Sequence, residues 1–174
     1  MATLPIVLYP QSILQQRARE VGRVTLEIQE LIPQMIEAMY KNQGIGLAAP
    51  QVGISKRVII VESSPNPRQN PRKPLAFMNP EIIKKSKKQT VEEEGCLSLP
   101  GIFLLIKRTE KVEVRCQTLD GNKVTIQAKG LAARIFQHEI DHLNGKLIIH
   151  RISPLKRLKI QKLLKELKNR TERK

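Results

Sequence analysis

The chain has 174 residues, 40% of them hydrophobic and 3% aromatic, with 31 basic residues against 16 acidic ones and a formal net charge of +15. That length suits one domain with a real core, and no apolar run approaches the length of a membrane span. The charge points to an acidic partner such as nucleic acid, or to a plainly solvated surface; so few aromatics argue against base-stacking platforms for single strands.

The opening MATLPIVLYP lacks a basic segment followed by a continuous apolar stretch, and Pro5 and Pro10 interrupt its apolar character. No secretion signal is expected, which places the chain in the cytoplasm with Cys96 and Cys116 reduced. Thr25 is placed to cap a helix running to about Lys41, with Ile28, Leu31, Ile32, Met35 and Met39 on one face. Pro33 falls inside that run and should kink or split it. Gly44 and Gly46 mark its end. RVIIVE, residues 57–62, reads as a buried strand, and the proline-rich polar residues 63–74 read as a surface loop.

Strand-like character resumes at LAFMN, and EIIKKSKKQT reads as a strand leading into a basic turn. KVEVRCQT and KVTIQA alternate strictly around LDGN, a hairpin signal. Val112, Val114 and Cys116 share one face there, so Cys116 is most simply a core residue. Gly130 precedes a helix from about Leu131 to Leu143, ended by Asn144-Gly145. Ser153-Pro154 opens a last helix with Ile160, Leu163, Leu164 and Leu167 as its apolar stripe. Residues 151–174 carry ten basic and two acidic residues, a net of +8 and more than half of the total charge. The expected architecture is α+β: mostly antiparallel sheets around a central helix, with residues 1–150 as a catalytic domain and 151–174 as a basic C-terminal helix on or extending from it.

The chemistry lies in HEIDHLNGKLI, residues 138–148. His138 and His142, four apart on a helix, present both imidazoles on one face, where they can share a metal ion. Leu131 and Ile135 lie on that same face, so it should be buried, and buried imidazoles need partners for their nitrogens. One large metalloprotease class has a third histidine where this chain has Ile148, so a third ligand must come from elsewhere. The open choices are His150, Cys96, Cys116 and several carboxylates. Spacing favours Cys96, which sits after a glycine in EEEGCLSLPG and offers a thiolate to a borderline metal.

Three segments carry a more specific signal: GIGLAAPQVG (44–53), EGCLSLPG (94–101) and QHEIDHLNG (137–145). In order and spacing they resemble the peptide deformylases, as does the opening YPQSILQQRAREV, and the likeness covers roughly residues 5–150. The resemblance implies that Cys96 joins His138 and His142 as metal ligands, leaving a fourth position for water. It implies removal of the N-formyl group from the initiator formylmethionine of new polypeptides, with release of formate. In that reaction Glu139 takes and passes on the water proton, while the Gln51 amide and the Leu97 backbone N–H stabilise the oxyanion. Gly44, Ile45, Gly46, Leu131 and Ile135 would receive the substrate. Fe2+ is the metal the family resemblance suggests in the cell, with Zn2+, Ni2+ or Co2+ as possible substitutes.

Arg134, one turn before His138, should turn outward from an apolar pocket, and Arg108 should pair with Asp141 to brace the helix. The basic tail resembles that of a subgroup docking near the ribosomal exit tunnel; no membrane partner is expected, and the protein should be a monomer. Two rivals make distinct demands. A zinc endopeptidase would leave Cys96 unexplained. A basic RNA-binding protein with a structural metal would need His150 or Cys116 as a fourth protein ligand.

Overall fold

The computed structural model describes residues 4–63 and 73–172. Helix α1 (Leu26–Lys41) leads into strands β1 (Gly46–Ala48), β2 (Val58–Glu62), β3 (Pro74–Lys85), β4 (Gln89–Glu94), β5 (Leu104–Thr109), β6 (Lys111–Gln117) and β7 (Lys123–Lys129). Helix α2 (Gly130–Leu143) carries the HExxH segment, and α3 (Pro154–Lys159) and α4 (Gln161–Glu172) follow it. The named strands pair antiparallel throughout, five in the order β1-β2-β3-β6-β7 and β4 with β5 as a separate pair. The α+β architecture matches the expectation; the loop expected at 63–74 lies outside the described residues apart from its ends.

Strand β2 shows why RVIIVE lacks alternation. Ile59 and Val61 pack with Ile135, Phe136, Ile140 and Leu143 of α2. Val58 and Ile60 pack on the opposite face with Ile32, Met35 and Met39 of α1. A strand buried on both faces reads as one apolar run. The β6–β7 hairpin forms with Cys116 opposite Val124, and Cys116 is buried in the core beneath α2. A third cluster holds Cys96, Leu99 and Ile106 against Leu147, Ile148 and Ile149, with Leu164 and Leu167 of α4 closing it. Ile148, where the metalloprotease class has a histidine, is thus a core residue.

Three local expectations need correction. Pro33 neither splits α1 nor ends it. It lies on the exposed face, as does Gln29, whose carbonyl loses the helical bond, so water can compensate while the buried face holds the helix. Thr25 takes the N-cap position without a capping side-chain hydrogen bond, unlike Ser153, whose hydroxyl accepts from the Lys156 N–H at 3.3 Å. The last helix is two helices, interrupted at Ile160, and of its apolar stripe Leu164 and Leu167 are buried while Leu163 is exposed.

Candidate metal centre

Helix α2 begins at Gly130, whose φ of +57° lets the chain turn from β7 directly into the helix. Its buried face then carries His138 and His142 inward. Their Nε2 atoms stand 3.3 Å apart, and the Cys96 Sγ lies 3.2 Å from His142 Nε2. The ligand atoms of Cys96, His138 and His142 all lie within 4.8 Å of one another. Cys96 reaches them from the turn after β4, where the Leu99 N–H donates to the Cys96 carbonyl at 2.9 Å. His150 stands apart: it is exposed and its Nδ1 accepts from the Leu147 N–H at 3.0 Å. Cys116 remains in the core, where burial pushes its thiol up to about 11. Among the described residues the cluster has three members and no fourth protein ligand.

A network of buried charge lies behind the histidines. His138 Nδ1 lies 3.0 Å from Glu94 Oε2. With that N–H donated to Glu94, Nε2 faces the cluster, where a metal ion would take the place of its proton. Arg108 grips Glu94 with two hydrogen bonds of 2.9 Å and reaches Asp141 at 2.5 Å, so the expected brace on α2 is present. Arg151 also holds Asp141. Burial pushes the Glu94 carboxyl up, but its hydrogen bonds with His138 and Arg108 prevail and hold it well below the usual carboxylate range.

Arg134 departs from expectation. Its side chain does not turn outward but is buried, donating to Glu94 Oε1 at 2.6 Å, to the Ile106 carbonyl at 3.0 Å and to the Thr90 hydroxyl at 2.9 Å. The Glu94 carboxylate, already in the interior, requires counter-charge, and Arg134 supplies it while its other N–H groups bond to Ile106 and Thr90. The signal was in the sequence, as Glu94 opens the EGCLSLPG segment, but nothing local pairs it with a residue 40 positions later.

In front of the histidines lies a cavity of about 520 Å³. Gly44, Ile45, Gly46, Gln51, Cys96 and Leu97 line it from one side. Leu131, Ile135, His138 and Glu139 line it from α2. The face of α2 is not uniformly buried, since Leu131 is 45% exposed at the cavity mouth while Ile135 is enclosed. Sequence reading missed Phe103, which also lines the cavity and is 64% exposed. Gly46 is required by proximity: a Cβ there would collide with the Glu139 carboxylate and stand 2.8 Å from Ile135 Cγ2. Gln51 Oε1 accepts from the Ala48 N–H at 2.9 Å, which aims its NH2 group at Cys96 Sγ (3.7 Å) and Ser98 Oγ (3.4 Å).

The donor set suits a single borderline divalent metal, one thiolate and two imidazoles with room left on the cavity side. The two rings differ in their electrostatics. Burial disfavours charge on both rings, yet contacts with Cys96 and Glu94 hold His138 well above the usual histidine range. His142 is pushed well below it by burial and by His138. Glu139 Oε2 is buried without a hydrogen-bond partner among the described residues, and burial lifts that carboxyl to about 7. An unsatisfied buried carboxylate oxygen beside a metal-ligand cluster and facing a cavity is a group waiting for a polar ligand.

The polypeptide deformylase family model matches residues 3–158. The chain belongs to the polypeptide deformylase family. It is 47% identical over 165 residues to a peptide deformylase of Thermodesulfovibrio yellowstonii, covering 95% of this chain and 98% of that one. Its structure resembles a plant peptide deformylase with a TM-score of 0.91 at 34% identity, over 99% of this chain and 93% of that one. It also resembles a peptide deformylase of Acinetobacter baumannii crystallised with Met-Ala-Ser bound, with a TM-score of 0.80 at 41% identity over 87% and 99%. Deformylation of N-terminal formylmethionine is the activity of this metal-dependent family of hydrolases, and it is the activity of this chain. No helix of the described chain is long and apolar enough to cross a membrane.

Proposed function

We propose that Cys96, His138 and His142 hold one divalent metal, that Glu139 is the proton-transfer group, and that the cavity receives the formylmethionine of a nascent peptide. The observation that carries this is the meeting, at one cavity wall, of a three-ligand cluster with the Glu139 carboxylate, whose Oε2 has no hydrogen-bond partner among the described residues. A metal bound there supplies a Lewis acid that makes water a better nucleophile near neutral pH. Glu139 accepts a proton from the attacking water and delivers it to the leaving amine nitrogen. The water oxygen joins the formyl carbon, the C–N bond breaks, and formate and a free amino terminus result. The Gln51 NH2 group, already aimed toward Cys96, and the Leu97 N–H donate to the oxygen on which negative charge develops.

Gly44, Ile45 and Gly46 offer a wall that a peptide backbone can approach closely, with Leu131 and Ile135 enclosing the methionine side chain. The Met-Ala-Ser bound to the Acinetobacter relative has the form of the product that this reaction would release. Ferrous iron is the metal we assign in the cell; zinc, nickel and cobalt suit the same donors. We place residues 1–150 as the catalytic unit of a cytoplasmic monomer, and residues 151–174 as a basic helical segment that meets the ribosome near its exit tunnel.

Formate release from an N-formyl-methionyl tripeptide tests the site. Anaerobically purified, iron-loaded protein should turn over rapidly, and Glu139→Ala should lose nearly all activity while still holding metal. Retained activity in that variant would refute the role of Glu139. The tail is tested without deleting it, because Leu164 and Leu167 belong to the core under Cys96. Replacing the exposed Lys162, Lys165 and Lys168 by Gln should weaken ribosome co-sedimentation, most visibly as salt rises, and leave tripeptide turnover unchanged. Unaltered co-sedimentation at low salt would make the segment a solvated helix only.

A further inference from the structure

A second concave surface lies at the far end of the β6–β7 hairpin. The basic turn KKSKK, residues 84–88, folds against the start of β6, where the Ser86 N–H donates to the Lys111 carbonyl at 2.9 Å and the Lys111 N–H donates to the Ser86 hydroxyl at 3.1 Å. Lys111 stands directly opposite Lys129 in the hairpin register. Like charges placed opposite one another in a sheet are destabilising. The β3–β6 register also shifts between Ile82 and Lys84, an irregularity that bends a strand and re-aims its side chains. Lys84, Lys85, Lys111 and Lys129 thereby line a groove of about 410 Å³ together with Val112 and Ala128, whose side chains belong to the core. Glu113, paired with Lys84 at 3.2 Å, is the acidic residue of this lining, and Glu110 pairs with Lys88 just outside it at 3.0 Å. No residue of this lining also lines the catalytic cavity.

We infer that this groove binds the phosphate backbone of RNA. Lys84 is paired with Glu113, but Lys85, Lys111 and Lys129 have no carboxylate partner among the described residues, so a bound anion would offset their mutual repulsion, and their concave arrangement suits a ridge of phosphates. The lining has no aromatic side chain and no arginine, so bases are neither stacked nor read, and recognition is of charge rather than sequence. The surface is separate from the basic C-terminal segment, and it stands whether or not that segment meets the ribosome.

The test uses full-length, metal-loaded protein and a fluorescent RNA duplex of arbitrary sequence, with anisotropy read across a salt series. Each lysine–phosphate contact contributes about 0.9 to the slope of log affinity against log salt. The triple variant Lys85→Gln, Lys111→Gln, Lys129→Gln, which leaves the Lys84–Glu113 pair in place, should lower that slope by about 2–3 and weaken low-salt binding by about tenfold or more. Its turnover of formyl-peptide should match the parent, and its melting temperature should be no lower, since the substitutions relieve the Lys111–Lys129 repulsion. A control replacing the exposed Lys107, Lys123 and Lys146 should change RNA binding far less. The inference is overturned if the groove variant keeps the parental slope or if the control loses as much. It is overturned in favour of a lipid surface if the groove variant loses binding to anionic vesicles while its RNA binding is unchanged.

Discussion

Charge is handled in opposite ways behind α2 and along α4. Behind α2, Glu94, Arg108, Arg134 and Asp141 are all buried, and each is held by an opposite charge within hydrogen-bond distance. Along α4 the lysines are exposed, and among the described residues of α3 and α4 one ion pair is present, Lys168 with Glu172 at 3.7 Å. The buried network turns charge into geometry: it fixes the Nδ1 side of His138 and so decides where Nε2 points. The exposed stripe fixes no geometry within the fold, and its charge is available to a partner. The leucines beneath it, Leu164 and Leu167, connect α4 to the site through the cluster that contains Cys96.

Substitutions should separate the two regions by the size of their effects. Glu94→Gln leaves Arg108 and Arg134 buried without their carboxylate and His138 without its orienting partner. Loss of stability should reach about 3–5 kcal/mol in denaturant titration, and metal affinity should fall by about 10–100-fold in a competition assay. A variant as stable and as metal-avid as the parent would mean the network is incidental. Leu167→Ala, in the apolar underside of the tail, should cost about 2–5 kcal/mol. An effect near zero would show that α4 is not part of the core. The exposed face should be almost silent: Lys165→Gln should stay within about 0.5 kcal/mol of the parent. A larger loss would mean that charges there also hold the fold.

Thiol labelling distinguishes the two cysteines in the same spirit. Chelation should open Cys96, at the cavity wall, to iodoacetamide. Cys116 should stay unlabelled at about pH 8, because burial both shields it and keeps it a thiol up to about 11. Labelling of Cys116 in the native protein would contradict its place in the core.

What could be read along the chain was local in origin. Alternation around LDGN reveals the β6–β7 hairpin, the unbroken apolar run of residues 58–61 reveals a buried strand, and the glycines and caps bracket α2. The three segments that brought Gln51, Cys96 and His138 to one cavity were legible as a set, because each keeps its residue types at fixed spacing. Arg134 was misread because its position depends on Glu94, which the β4–β5 pairing carries to it from far away in sequence. Leu163 differs for another reason: it lies at the edge of the face that Leu164 and Leu167 turn to the cluster around Cys96, and that cluster does not reach it. Pro33 was read by its local penalty, which the packing of α1 overrides on the opposite face.

X-ray absorption at the zinc edge of zinc-loaded protein, with the parent beside Cys96→Ala, tests the central assignment most directly. One zinc per chain is predicted, with one sulfur at about 2.3 Å and two imidazole nitrogens at about 2.0–2.1 Å, and loss of the sulfur scattering in the variant. Retention of sulfur scattering in the variant, or a shell of nitrogen and oxygen alone in the parent, would contradict a centre built from Cys96, His138 and His142.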